Sequence, residues 1–242
     1  MSASRSHDRA DHELRPIRIE PGFVETADGS ALISAGTTRV ICTASVETSV
    51  PRWLAGRGKG WVTAEYSMLP ASTGERKQRD ISRGKLDGRS VEIQRLIGRS
   101  LRSVVDFAAL GERAIVVDCD VLQADGGTRC AAITGGYVAL ALALEGLVRE
   151  GKLERSPLTG AVAAVSVGVV GGRELCDLDY SEDSTADVDA NVVMTGEGGL
   201  IEVQATSEGA PLARTSLDRL LAMAEAGITG LLEAQRQAID AA

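Results

Sequence analysis

The stretch Asp125-Gly126-Gly127-Thr128-Arg129 constrains this chain most, because of what stands on either side of it. Residues 114–122 before it are short, apolar and rich in β-branched side chains, the pattern of a buried strand. Residues 130–147 after it are rich in Ala and Leu and long enough for a helix. A glycine turn that opens a helix aims free backbone N–H groups, and the positive end of the helix dipole, at one spot. Arg129 adds a planar donor able to make two parallel hydrogen bonds. The spacing predicts an anion site suited to phosphate. Plain turn geometry would also account for the paired glycines.

Length and composition set the frame for that site. With 242 residues the chain can bury a sizeable core, and it is expected to form one domain, 1–242, of two similar halves. Residues 1–12 are polar and expected to form a mobile arm, and residues 71–87 a basic loop. Hydrophobic content of 44% and charged content of 25% fit an ordinary soluble protein. No apolar run is expected to approach membrane-spanning length, and residues 1–11 lack the apolar core of a signal peptide, so a cytoplasmic location is expected. Cys42, Cys119, Cys130 and Cys176 are widely spaced in mostly apolar surroundings and read as buried small hydrophobes. His7 and His12 are the only histidines, and both lie in the polar arm. That argues against histidine triads and histidine-bound zinc. Chemistry is left to carboxylates, arginines and hydroxyls, with a hard metal ion as an available partner.

Charge is unevenly spread. Residues 71–102 hold nine basic side chains (Arg76, Lys77, Arg79, Arg83, Lys85, Arg89, Arg95, Arg99, Arg102) against four acidic ones. Residues 174–189 hold seven acids and no Lys or Arg. An acidic chain of net charge -8 with one basic patch binds a polyanion locally rather than coating itself with nucleic acid. A solvated loop followed by a salt-bridged helix face is the alternative.

Along the chain, residues 13–34 read as a hairpin turning at Asp28-Gly29, with strands over 39–46 and 61–68 to follow. Residues 89–107 have apolar positions at helical spacing, with Arg95, Arg99 and Arg102 on another face. Strand 114–122, helix 129–149 and strand 161–170 come next. A turn at Gly171-Gly172 leads into a return strand over 174–180. A hairpin over 189–206 and a helix over 211–241 end the chain. That order suits an α+β sandwich better than a doubly wound parallel sheet.

Within the acidic region, Asp187 and Asp189 flank Val188, so on a strand both would face one side, with Glu182-Asp183 a short turn earlier. Converging carboxylates without His or Cys suit Mg²⁺ or Mn²⁺. An acidic surface hairpin is the alternative.

Together these segments resemble the ribonuclease PH family of phosphorolytic 3′-exoribonucleases, over nearly the whole chain. The resemblance is carried by Leu14-Arg15-Pro16-Ile17, the run from Gly60 to Pro70 (GWVTAEYSMLP) and the run from Gly88 to Arg99 (GRSVEIQRLIGR). It continues in the run from Asp118 to Arg129 (DCDVLQADGGTR) and in Asp189-Ala190-Asn191-Val192-Val193-Met194-Thr195. It implies an α+β fold of the ribonuclease PH type, with two βαβα-like halves and mixed sheets packed on helices. It also implies a homo-hexamer built as a trimer of dimers. The implied activity is trimming of tRNA precursors from the RNA 3′ end with inorganic phosphate as co-substrate. Nucleoside 5′-diphosphates are released, and the reaction can reverse to add nucleotides. By the same resemblance, Arg89, Gly127, Thr128 and Arg129 bind phosphate, and Asp183 and Asp189 are catalytic. Asp183 and Asp189, with Asp187 nearby, hold Mg²⁺ or Mn²⁺, and Arg76, Arg79 and Arg83 guide RNA. Cys130 stands where a threonine is common, and Ala205 replaces a glycine.

Overall fold

The computed structural model describes residues 5–79, 82, 84, 85 and 87–242. The first half is a five-stranded sheet of β1 (Ile17–Pro21), β2 (Gly29–Ala35), β3 (Thr38–Glu47), β4 (Trp61–Met68) and β5 (Ala114–Gln123). Its spatial order is β1-β2-β3-β5-β4. All neighbours are antiparallel except β4 and β5, whose parallel pairing needs a crossover. Helix α1 (Gly88–Arg102) and the short α2 (Phe107–Leu110) supply it. After α3 (Thr128–Arg149) come β6 (Val162–Val170), β7 (Arg173–Cys176), α4 (Tyr180–Asp183), β8 (Val188–Thr195), β9 (Leu200–Ser207) and α5 (Arg214–Asp240). These four strands form an antiparallel sheet ordered β7-β6-β8-β9.

Helix α3 lies between the two sheets, against β2, β3 and β5 on one side and β6 on the other. Its Ala- and Leu-rich sequence is buried on nearly every face, because small side chains let both sheets approach closely. By length and composition its 22 residues could cross a membrane, which the sequence reading overlooked, but 83% of its apolar window is buried inside the fold. The main core cluster runs through α3 from Ile33 and Val117 of the first sheet to Val162, Ala164 and Val193 of the second. A second cluster packs β6 and β8 against α5.

Two elements differ from the sequence expectation, both because of capping. The helix expected over 89–107 ends at Arg102. A separate turn then starts where the Asp106 carboxylate accepts from the Ala108 and Ala109 amides at 2.9 and 3.1 Å. The strand expected over 174–180 stops at Cys176. Asp177 takes a left-handed φ of 54°, and Asp179 then caps α4 in a reciprocal pair with Glu182.

The N-terminal arm is also different. Residues 1–4 lie outside the described residues, but 5–12 pack against the second half rather than extending as a mobile arm. The Arg5 and Arg9 side chains are 2% and 3% exposed. Arg5 Nε donates to Glu182 Oε1 at 2.6 Å and its Nη2 to the Cys176 carbonyl at 2.7 Å. Arg9 Nη1 donates to the Asp177 carbonyl at 2.8 Å, and Nη2 lies 3.4 Å from Glu182 Oε2. Two buried guanidinium groups thus anchor the arm, and Glu182 pairs with both. Arg9 also lies 3.9 Å from Asp177 Oδ2 and 3.8 Å from Asp179 Oδ2, so removing Glu182 would leave Arg5 short of a buried counter-charge, at a cost of about 3–5 kcal/mol. Glu182→Ala is therefore expected to lower the urea-unfolding free energy by about that amount; a loss under about 1 kcal/mol would show that the arm is not anchored there.

Candidate active site

The glycine turn and the helix after it form as the sequence predicts. Gly126 and Gly127 have φ of 74° and 64°, left-handed values that favour glycine, and Gly127 caps α3. Gly126 also admits a close neighbour: a Cβ there would lie 2.6 Å from the Leu178 carbonyl oxygen. The turn is fastened by Arg15, which is 2% exposed. Its Nη1 donates to the Asp125 carbonyl at 2.5 Å, while Nε and Nη2 donate to the two oxygens of Asp177 at 2.9 and 2.7 Å. The Tyr66 hydroxyl on β4 donates to Thr128 Oγ1 at 2.9 Å. Burial raises the Tyr66 hydroxyl pKa, and the charges of Arg89 and Arg129 oppose that rise. Arg89 and Arg129 thus lie within electrostatic range of this hydroxyl.

The second sheet brings an acid to the same place. On β8 the register sets Asp189 opposite Thr206 and Asn191 opposite Gln204, so these side chains share one sheet face. Asn191 Oδ1 lies 3.3 Å from the Cys130 thiol in the first turn of α3, and burial raises that thiol's pKa. Cys130 is buried, as expected for a small hydrophobe, and it keeps a polar contact to Asn191 despite lacking a hydroxyl. Burial raises the Asp189 carboxyl pKa to about 6, reinforced by the charge of Asp183 and a hydrogen bond with it. Arg129 and Arg89 pull it the other way. This one carboxyl on β8 thus feels three other predicted charges, drawn from α1, α3 and α4. Its Oδ1 is buried with no hydrogen-bond partner.

An orphaned carboxylate oxygen beside a second carboxylate is a site with room for a hard cation. Mg²⁺ is commonly held by one or two carboxylates with waters and phosphate oxygens completing the shell, so Asp183 and Asp189 fit that role. Among the described residues no group of three or more His, Cys, Asp or Glu converges as a full protein cage. Asp187 does not join the pair. Its side chain is exposed, because β8 begins only at Val188 and the alternation that would align Asp187 with Asp189 has not started there. Glu182, next to Asp183, is turned away into the arginine anchor.

Arg129 is already engaged. Its Nη1 donates to Gln204 Oε1 at 2.6 Å and lies 3.4 Å from Glu92 Oε1. Arg89, on the first turn of α1, is exposed. The other arginines of α1 do not form one basic stripe. Arg102 donates to the Val62 carbonyl at 3.1 Å and lies over the Trp61 ring, Arg99 pairs with Glu202, and Arg95 is exposed. In the basic loop Arg76 and Arg79 are exposed, Lys77 pairs with Asp87 at 3.1 Å, and Arg83 lies outside the described residues. The site residues that sequence reasoning missed are Arg15, Tyr66, Glu92, Asp177, Asn191 and Gln204. Arg15, Tyr66, Glu92 and Asn191 fall inside the recognised motifs without a role of their own; Asp177 lies in the acidic region and Gln204 stands beside the Ala205 that replaces a glycine, and neither was given a role.

Comparison with known proteins agrees with this architecture. Residues 13–144 match the model for domain 1 of the 3′ exoribonuclease family, and residues 160–227 match the model for domain 2. Among solved structures the chain is similar to Rrp46 of rice (Oryza sativa), with a TM-score of 0.78 at 18% identity, covering 97% of this chain and 100% of that one. It is similar to a chain of the Archaeoglobus fulgidus exosome with RNA bound to the active site, with a TM-score of 0.77 at 22% identity, covering 95% and 92%. An archaeal exosome core chain follows, with a TM-score of 0.73 at 21% identity, covering 94% and 89%.

The raised Asp189 pKa has a consequence for stability. A carboxyl whose folded pKa lies above its unfolded value favours the fold while protonated, and that advantage is lost as pH rises through about 6. In metal-free protein, Asp189→Asn is expected to stabilise the fold at pH 7.5, on the order of 1 kcal/mol after discounting for partial solvent contact, and to have little effect near pH 4. Thermal unfolding in chelator at the two pH values measures this. Equal effects of the substitution at both would contradict it.

Proposed function

The chain belongs to the 3′ exoribonuclease family, and on that premise we propose that it is a phosphate-dependent enzyme of the ribonuclease PH type. It would shorten RNA from the 3′ end by phosphorolysis and release nucleoside 5′-diphosphates. One observation supports this reading: half-buried Asp189, with an unpartnered buried oxygen, lies within electrostatic range of Arg89, Arg129 and Asp183. A hydrolytic nuclease has no need of an anion clamp beside its acids. A scaffold subunit of the same fold has no need of either.

In this reading Arg89, Arg129 and the N–H groups of Gly127 and Thr128 hold inorganic phosphate against the last phosphodiester of the RNA. Two anions repel, so the clamp supplies both position and charge for in-line attack. A phosphate oxygen bonds to the phosphorus of the terminal nucleotide while the bond from that phosphorus to the preceding 3′-oxygen breaks. The departing oxygen takes a proton from the Asp183–Asp189 pair. Burial raises the Asp189 carboxyl pKa to about 6, which supports a carboxyl of this pair as the donor. Asp183 and Asp189 would hold Mg²⁺ or Mn²⁺, which would supply charge neutralisation at the phosphoryl oxygens. A phosphodiester is exchanged for a phosphoanhydride, so the reaction runs backwards when diphosphates are abundant. Exposed Arg76 and Arg79, with Arg83, guide the RNA strand. The 3′ ends of tRNA precursors as substrate, a homo-hexameric trimer of dimers and a cytoplasmic location complete the proposal, on the strength of the sequence resemblance.

A labelled RNA incubated with and without phosphate tests the activity. Nucleoside diphosphate is expected, only when phosphate is present; monophosphate released without phosphate would replace this reading with hydrolysis. Substituting Arg76, Arg79 and Arg83 together with Ala is expected to weaken RNA binding and flatten its dependence on salt by up to about three phosphate contacts. Titrations from low to moderate salt measure the slope, and an unchanged slope would remove the loop from the RNA path.

A further inference from the structure

The phosphate arginine is held by a relay from another strand. Gln204 sits on β9, and its amide orientation is set by its partners. Its Nε2 donates to Glu92 Oε1 and to Glu202 Oε1, each at 3.0 Å. Ionised carboxylates only accept, so the amide must present its N–H₂ to them and its Oε1 to the other side. There Oε1 accepts from Arg129 Nη1 at 2.6 Å. Glu202 is itself fixed by Arg99 on α1. Glu92 stands three residues after Arg89 on α1, on the same side of the helix. The relay therefore joins the helix carrying one phosphate arginine to the guanidinium of the other. Among the described residues, no hydrogen bond engages Nε or Nη2 of Arg129, which leaves one edge of the planar group for a ligand.

We propose that Gln204 is a positioning residue, which turns the open edge of Arg129 toward the bound phosphate, and that Glu92 serves it as an acceptor. The proposal rests on the phosphorolytic reading. The side-chain bonds of Gln204 run to Arg129, Glu92 and Glu202, so its contribution is expected to fall on phosphate binding. Without the amide, Arg129 would regain rotamer freedom and lose a charge-assisted contact, and phosphate would meet a guanidinium not yet arranged to receive it.

Two variants separate orientation from charge. Gln204→Leu keeps the bulk and removes the relay. It is expected to raise the Michaelis constant for phosphate about tenfold or more, with the constant for RNA and the turnover at saturating phosphate within about twofold of the parent. Glu92→Gln keeps an acceptor for Gln204 Nε2 and removes a negative charge 3.4 Å from Arg129, so phosphate should bind at least as tightly as in the parent. Calorimetry with inorganic phosphate on RNA-free protein reads the same order without turnover. An unchanged phosphate constant in Gln204→Leu would overturn the assignment, as would an equal loss in Glu92→Gln. A parent that binds no phosphate would overturn the phosphorolytic reading and the assignment with it.

Discussion

The arrangement depends first on one buried guanidinium. Arg15 spends two donors on Asp177, in the second half, and a third on the Asp125 carbonyl, in the glycine turn of the first. A planar fork matches a carboxylate in geometry, and a lysine could not reproduce the three directions. Asp177 is itself in a left-handed conformation, and that reversal turns the chain from β7 toward the short helix bearing Asp183. The glycine turn and the acid turn are thus tied to the same side chain. Helix α3 then sets how far apart the two sheets stand, and so where β8 delivers Asp189.

The pocket is energetically costly by itself. A carboxyl held at a pKa of about 6, with one oxygen unpartnered and another acid within hydrogen-bond reach, opposes folding at neutral pH until a cation or proton arrives. The surrounding structure offsets that cost with satisfied groups. Arg5, Arg9 and Arg15 are buried but engaged by Asp177, Glu182 and backbone carbonyls, and the α4 turn is capped at both its first and third positions. Strain is concentrated where chemistry needs unsatisfied charge, and the support around it is fully bonded.

What the sequence discloses follows from the range of the interactions. Strand β5, the glycine turn and α3 are legible because their signals are local: β-branched residues, paired glycines, then an apolar helix. The acid pair is legible because Asp183 and Asp189 lie close in the chain. Arg15 and Asp177 are 162 residues apart, and Gln204 and Arg129 are 75 apart; no spacing rule connects them. Glu182 and Asp183 are chemical near-equivalents, and only the direction of one helical turn separates an anchor from a site acid. Asp187 failed because alternation holds inside a strand and that strand starts one residue later. The arm was misjudged for a related reason: its arginines look solvated until the buried carboxylate that receives them is known.

The central claim is that phosphate and a divalent ion meet in one pocket, between Arg89 and Arg129 on one side and Asp183 and Asp189 on the other. Paramagnetic relaxation of the phosphorus nucleus of inorganic phosphate, with Mn²⁺ added to the protein, measures that meeting directly. Strong relaxation enhancement is predicted in the parent, with loss of the enhancement in Asp189→Ala although phosphate still binds. Phosphate that binds with no enhancement from protein-bound Mn²⁺ would contradict a shared pocket.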